Sequence, residues 1–105
     1  MTSGIFCERV LLIEGQSAAC RFYQPEVDEE DFGCRFEIDW PAGRSGGKAI
    51  GVDPVQALLL AMQKAHLELL TARRDKGLEI SWLETPNLGL PLPKPISDWA
   101  PHNQY

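Results

Sequence analysis

The sequence predicts an α+β fold: an antiparallel meander of four to five strands with one long α-helix packed on one face. Three observations carry this. Phe32, Cys34, Phe36, Ile38 and Trp40 alternate with Gly33, Arg35, Glu37 and Asp39, the period of a half-buried antiparallel strand. Residues 54–76 hold apolar side chains at helical spacing, with no breaker before Gly77. The segments before the helix are joined by short stretches of turn residues, which favours pairing of successive strands.

The first strand is expected at residues 5–14, rich in Val, Leu and Ile, and stops at "EGQSA". A second, at residues 18–24, sets Cys20 and Phe22 on one face and Arg21 and Tyr23 on the other. "PEVDEED" reads as a turn heavy in carboxylates, residues 32–40 as the third strand, "PAGRSGG" as another turn and residues 48–52 as a short fourth strand. A fifth strand is expected at residues 78–83, where Leu78, Ile80 and Trp82 alternate with Glu79 and Ser81. "TPNLGLPLPKP" is too rich in proline for an interior strand, because proline lacks the ladder N–H; it reads as an extended segment crossing the surface. The chain forms one domain over residues 1–105, with 94–105 an irregular tail.

The helix carries signals at both ends. Asp53 stands where a cap accepts from a free N–H of the first turn, Pro54 suits the first helical position, and Gln56 fits a capping box. Arg73, Arg74 and Lys76 complement the C-terminal dipole before Gly77, a left-handed cap. Val55, Leu58, Leu59, Met62, Ala65, His66, Leu69 and Leu70 form the expected buried stripe, with Lys64, Glu68, Thr71 and Asp75 opposite.

"GGKAIGVDPVQALLLAMQ" invites a phosphate-loop reading, which fails on three physical requirements. Aligned on Gly47 and Lys48, the first glycine of the loop falls on Ala42, and the magnesium-binding hydroxyl on Ala49. The helix starts only after Asp53, whose carboxylate satisfies the free N–H groups and repels an anion. Lys48 likewise stands where a dinucleotide fingerprint needs glycine. The stretch is a strand, a cap and a structural helix.

At 44% hydrophobic and 24% charged residues the 105-residue chain is globular in composition. Its formal charge of −5 disfavours nucleic acid and anionic membrane surfaces as partners. The longest wholly apolar run, residues 57–62, falls far short of the roughly 20 residues of a membrane span. No basic-then-apolar leader is visible at the N-terminus. Cys7, Cys20 and Cys34 form no CxxC or CxxH pair, so no metal site or cofactor is expected. Three reduced thiols fit a cytoplasmic protein.

"GVDPVQALLLAMQKAHLELL", with "LEISWLE" and "LGLPLP" after it, resembles a family of small bacterial proteins of unknown function. The matching residues are Gly51, Val52, Asp53, Gln56, Ala57 and Leu58 at the helix start, then Gly89, Pro91 and Pro93 in a GxPxP segment. The resemblance covers the last half of the chain. It implies a bacterial source and a shared fold, and assigns no catalytic residue.

His66 falls within the apolar stripe. It reads either as a core histidine bonded to a backbone carbonyl or as a general base facing a helix–sheet pocket, with Cys20 and Cys34 as candidate ligand-binding neighbours. As small hydrophobes the cysteines fit the core better than catalysis. Asp28, Glu29, Glu30 and Asp31 lack the EF-hand pattern and read as a solvated hairpin turn. His102 and Asp98 in the tail carry little metal-binding signal. Pro91, Pro93 and Pro95 are spaced wrongly for a proline-rich ligand. Leu60 and Leu67, bordered by Gln56 and Gln63, lie beyond the main stripe on the helix flank. Their expected cover is either the tail, through Trp99, or a second subunit. The leading expectation is thus a non-enzymatic protein-interaction domain, self-associating as a homodimer through the helix flank or an open sheet edge. The alternative is a small-molecule binder or enzyme with a pocket at His66.

Overall fold

The computed structural model describes residues 4–92. The predicted α+β architecture is present. Strands β1 (Ile5–Ile13), β2 (Gln16–Tyr23), β3 (Glu26–Asp28), β4 (Asp31–Trp40) and β5 (Gly43–Gly51) precede helix α1 (Pro54–Lys76) and a short β6 (Ile80–Ser81). Every strand pairing is antiparallel. β4 carries β5 along one side, from Phe32 opposite Gly51 to Trp40 opposite Gly43. Its other side takes β2 and then β3 in succession, and β1 and β6 complete the sheet beyond β2.

Three strand boundaries depart from the sequence expectation. β3 lies within the carboxylate-rich stretch read as a turn; the turn itself shrinks to Glu29 and Glu30 between Asp28 and Asp31. β5 begins at Gly43, so Arg44, Ser45, Gly46 and Gly47 belong to the ladder. Gly47 fits because the Phe36 ring opposite fills its place: an added Cβ would meet that ring at 3.0 Å. The strand expected at 78–83 is reduced to Ile80–Ser81, because the chain turns back at once through a Trp82–Thr85 bridge.

The helix ends follow the sequence. Asp53 Oδ1 accepts from Gln56 N–H at 2.8 Å, and Gln56 Oε1 accepts from Val52 N–H at 2.8 Å. These reciprocal bonds satisfy donors that would otherwise be orphaned at the helix start. Gly77, at φ 67°, closes the other end by donating to Ala72 O.

The buried stripe differs from expectation. Ala57, Ala61, Ala65, Leu69 and Ala72 face the sheet, with His66 and Leu70 beside them, whereas Val55 is 75% exposed and Leu59 43%. The cause is close approach. A Cβ on Gly51 would lie 2.4 Å from Ala57 N, so β5 and the first helical turn touch backbone to backbone. Only alanines fit in that gap, and the row at i, i+4, i+8 supplies them. Above it the core is built from Leu11, Ile13, Cys20, Phe22, Cys34, Phe36 and Ile38.

The segment after β6 does more than cross the surface. It straps the flank of α1 nearest β1, burying Leu88 and Leu90 in the core. Three donors hold carbonyls of this segment and of β6. Arg73 Nη2 donates to Ile80 O and Pro86 O, each at 2.9 Å. Arg9 Nη1 donates to Leu88 O at 2.9 Å and Gly89 O at 2.8 Å, with its guanidinium 3.7 Å from the Trp82 ring centre. His66 Nδ1 donates to Pro91 O at 3.0 Å. Among the described residues no helix is long and apolar enough to cross a membrane.

Candidate functional site

The two flanks of α1 are finished differently. The strap closes the flank toward β1, and β6 covers part of the β1 edge. On the other flank β5 is an outermost strand whose free edge meets no further strand among the described residues. In an antiparallel ladder alternate residues turn their N–H and C=O groups away from the partner strand. Lys48 is one of these, since Lys64 Nζ reaches its carbonyl oxygen at 2.9 Å. Arg44, Gly46 and Ile50 share its parity.

Between this edge and α1 run two adjoining grooves. One, of about 340 Å³, is lined by Lys48, Ala49 and Ile50 of β5 and by Leu60, Gln63, Lys64 and Leu67 of α1. The other, of about 1000 Å³, opens where the β4–β5 hairpin parts from the second half of α1. Its walls are Trp40, Pro41, Ala42, Gly43 and Ser45 on one side and Leu67, Glu68, Thr71, Ala72 and Lys76 on the other, with Glu14 and Leu78 at the end. Leu67 belongs to both.

Glu68 is the electrostatic feature of the larger groove. Burial pushes its carboxyl pKa up, against the opposing pull of Lys64. Glu68 stands on the α1 wall of this groove, half-buried. On the other wall the Trp40 indole is fixed by Nε1 donating to Ser45 Oγ at 2.7 Å. On the opposite, open face of the sheet the charges are paired. Arg21 forks onto Asp39 at 2.6 and 3.0 Å, Arg44 adds a bond to Asp39 at 3.1 Å, and Lys48 reaches Asp28 at 2.6 Å. The Arg21 bonds, first among the causes, hold the Asp39 carboxyl below its usual range.

The residues singled out from sequence separate into two places. His66, at 1% exposure, and Cys20 and Cys34, at 0%, lie in the core. None of the three lines a groove described above. His66 is satisfied by the strap, and burial depresses its pKa. Burial pushes the Cys20 thiol up to about 12 and Cys34 up to about 11, so neither is a ready nucleophile. The ligand-pocket expectation at these residues therefore meets a packed core. Leu60 and Leu67, in contrast, are brought together with the free β5 edge. Trp99, the His102 and Asp98 pair, and residues 94–105 lie outside the described residues. Sequence reasoning missed Trp40, Glu68 and Thr71 as groove residues: Glu68 and Thr71 were placed opposite the buried face, yet both are half-buried. The alanine row was the signal, because centring the buried face on it moves Glu68 to its margin. Among the described residues no group of three or more His, Cys, Asp or Glu side chains is arranged to hold a metal ion.

No curated protein and no solved structure matches the chain. A family model described as a domain of unknown function (DUF6968) matches residues 7–92, from the middle of β1 through the strap, and the chain belongs to that family.

Proposed function

We propose that the chain is a non-enzymatic protein-interaction domain that self-associates as a homodimer by pairing β5 with β5 of a second copy. One observation carries this reading: the Leu60–Leu67 flank of α1 lies alongside the free β5 edge, while the opposite flank is strapped. A two-fold axis through antiparallel β5 strands sets the same patch against itself. The geometry supports that arrangement. Paired strands lie about 4.8 Å apart. α1 packs across both β4 and β5, with its Leu60–Leu67 flank toward the β5 edge. Joining two β5 edges would place both helices on the same face of the combined sheet and bring their flanks toward one seam. Leu60 and Leu67 of each copy would meet at that seam, adding apolar burial to main-chain hydrogen bonds. Arg44 and Lys48 offer little repulsion, since Asp39 and Asp28 already neutralise them.

The formal charge of −5 supports a protein partner over nucleic acid or an anionic membrane. Three free thiols support a cytoplasmic setting. Sedimentation velocity of the full chain tests the reading. The wild type should run as a dimer at micromolar concentration, and Leu67→Glu should run as a folded monomer. A wild type that stays monomeric throughout the accessible range would end it.

A further inference from the structure

We propose that the larger groove, at the hairpin end of α1, binds a small apolar molecule bearing a cationic amine, with Glu68 as its counter-ion. The groove's volume of about 1000 Å³ is at the upper end for a small-molecule site. Trp40, Leu67, Ala72 and Leu78 give it a mainly apolar wall spread over separate elements of the fold. The ligand's sign follows from the charges that line it. Glu14 is already engaged, its Oε2 accepting from Glu79 N–H at 2.7 Å. Lys76 is exposed at the last turn of the helix. Glu68 is half-buried, and its carboxylate accepts no hydrogen bond among the described residues. It lines the groove wall, and burial removes part of its hydration. A carboxylate that loses hydration without gaining a donor is poorly satisfied, and an ammonium group supplies both charge and donors. An anionic ligand would add a second negative charge beside it, and a neutral one would leave it as it is.

Leu67 also belongs to the proposed β5 seam, so the Trp40 indole and the charge dependence of binding decide this site separately from dimerisation. The experiment titrates 4-phenylbutylamine, 4-phenylbutanol and 4-phenylbutyrate into the isotopically labelled full chain. It follows the Trp40 indole N–H, the Thr71 amide and the Leu67 methyls. The amine should perturb all three and bind about tenfold more tightly than the alcohol, as expected for a charge-assisted bond in a partly dry site. Butyrate should be the weakest. Glu68→Gln, which keeps the shape, should bring the amine and alcohol within about threefold of each other. Thr71→Lys, which sets a cation at the lip, should weaken the amine and spare the alcohol. An amine preference under about threefold, one that survives Glu68→Gln, or perturbations confined to residues outside the groove would overturn the assignment.

Discussion

His66 Nδ1 lies 3.0 Å from the carbonyl oxygen of Pro91, joining the middle of α1 to the end of the described strap. A carbonyl oxygen only accepts, so Nδ1 carries the proton. The ring is 1% exposed, and its pKa falls below the ordinary 6.5 because burial disfavours the imidazolium. The unfolded chain therefore takes up a proton near pH 6.5 that the folded chain resists. Stability from this group is complete above that pH and declines as pH falls toward the lower folded value. Urea denaturation across pH 5 to 8 should show that decline in the wild type, and His66→Phe should flatten it. At neutral pH His66→Phe should lower stability by about 1–3 kcal/mol, since Pro91 O loses its donor in a buried place. An unchanged pH slope would show that the histidine is not the group responsible.

Lys64 sets the strength of the proposed dimer. Its Nζ holds Lys48 O at 2.9 Å, and that oxygen is one of the outward acceptors a second β5 must use. Pairing requires the ammonium to let go and places two such cations near one seam. Lys64→Leu removes the competitor and extends the apolar flank formed by Leu60 and Leu67. Its dimer dissociation constant should fall by about tenfold, equivalent to about 1.4 kcal/mol. Analytical ultracentrifugation over a dilution series measures it. Weaker association in Lys64→Leu would show that Lys64 supports the interface and would count against pairing at β5.

Gly51 sets how close the helix lies to the sheet. A methyl group there would sit 2.4 Å from Ala57 N and 2.8 Å from Gln56 C, both backbone atoms of the first helical turn. Neither can swing aside as a side chain does, so Gly51→Ala must lift the front of α1. A loss of about 2–3 kcal/mol is expected, the scale of overpacking in a tight core. The capping bond of Asp53 to Gln56 should weaken with it, visible as faster amide exchange at Gln56 and Ala57. A variant as stable as wild type would mean that the first helical turn has room to shift away from β5.

Gly51 also marks where sequence reading reached its limit. The alternation of Phe32 to Trp40 and the Asp53–Gln56 cap were legible because each signal is local: one strand pleat, one helical turn. The buried face of α1 was read from its large side chains, so Val55 and Leu59 were placed inside. Yet the contact is set by the space opposite, and the absence of a side chain at Gly51 demands alanines. Gly46 and Gly47 hid the start of β5 for a related reason: the Phe36 ring fills the place of a side chain at Gly47, and the Phe36 carbonyl oxygen leaves no room for one at Gly46. Leu60 and Leu67 were legible as an unexplained apolar flank, but the free edge beside them appears only once β5 is outermost. The larger groove was invisible because Trp40 and Glu68 face it from separate elements, at no fixed spacing along the chain.

The turn after β6 is built from residues that suit it poorly. Trp82 and Thr85 exchange backbone hydrogen bonds of 2.9 and 3.0 Å, which forces the intervening Leu83 and Glu84 to φ values of 51° and 63°. Left-handed backbone costs an ordinary residue about 1 kcal/mol, and a tight hairpin of this hand prefers Asn followed by Gly. Leu83 is 76% exposed, so replacing it removes little packing. The double substitution Leu83→Asn, Glu84→Gly should relieve the strain at both positions, less the extra backbone entropy of glycine in the unfolded chain. A net gain of about 1 kcal/mol is expected, or about 4–8 °C in thermal midpoint for a domain of this size. Calorimetry measures the gain directly. A lower midpoint would mean that Leu83 or Glu84 holds the strap through contacts that outweigh the strain. The wild-type pair would then be the better fit for this turn.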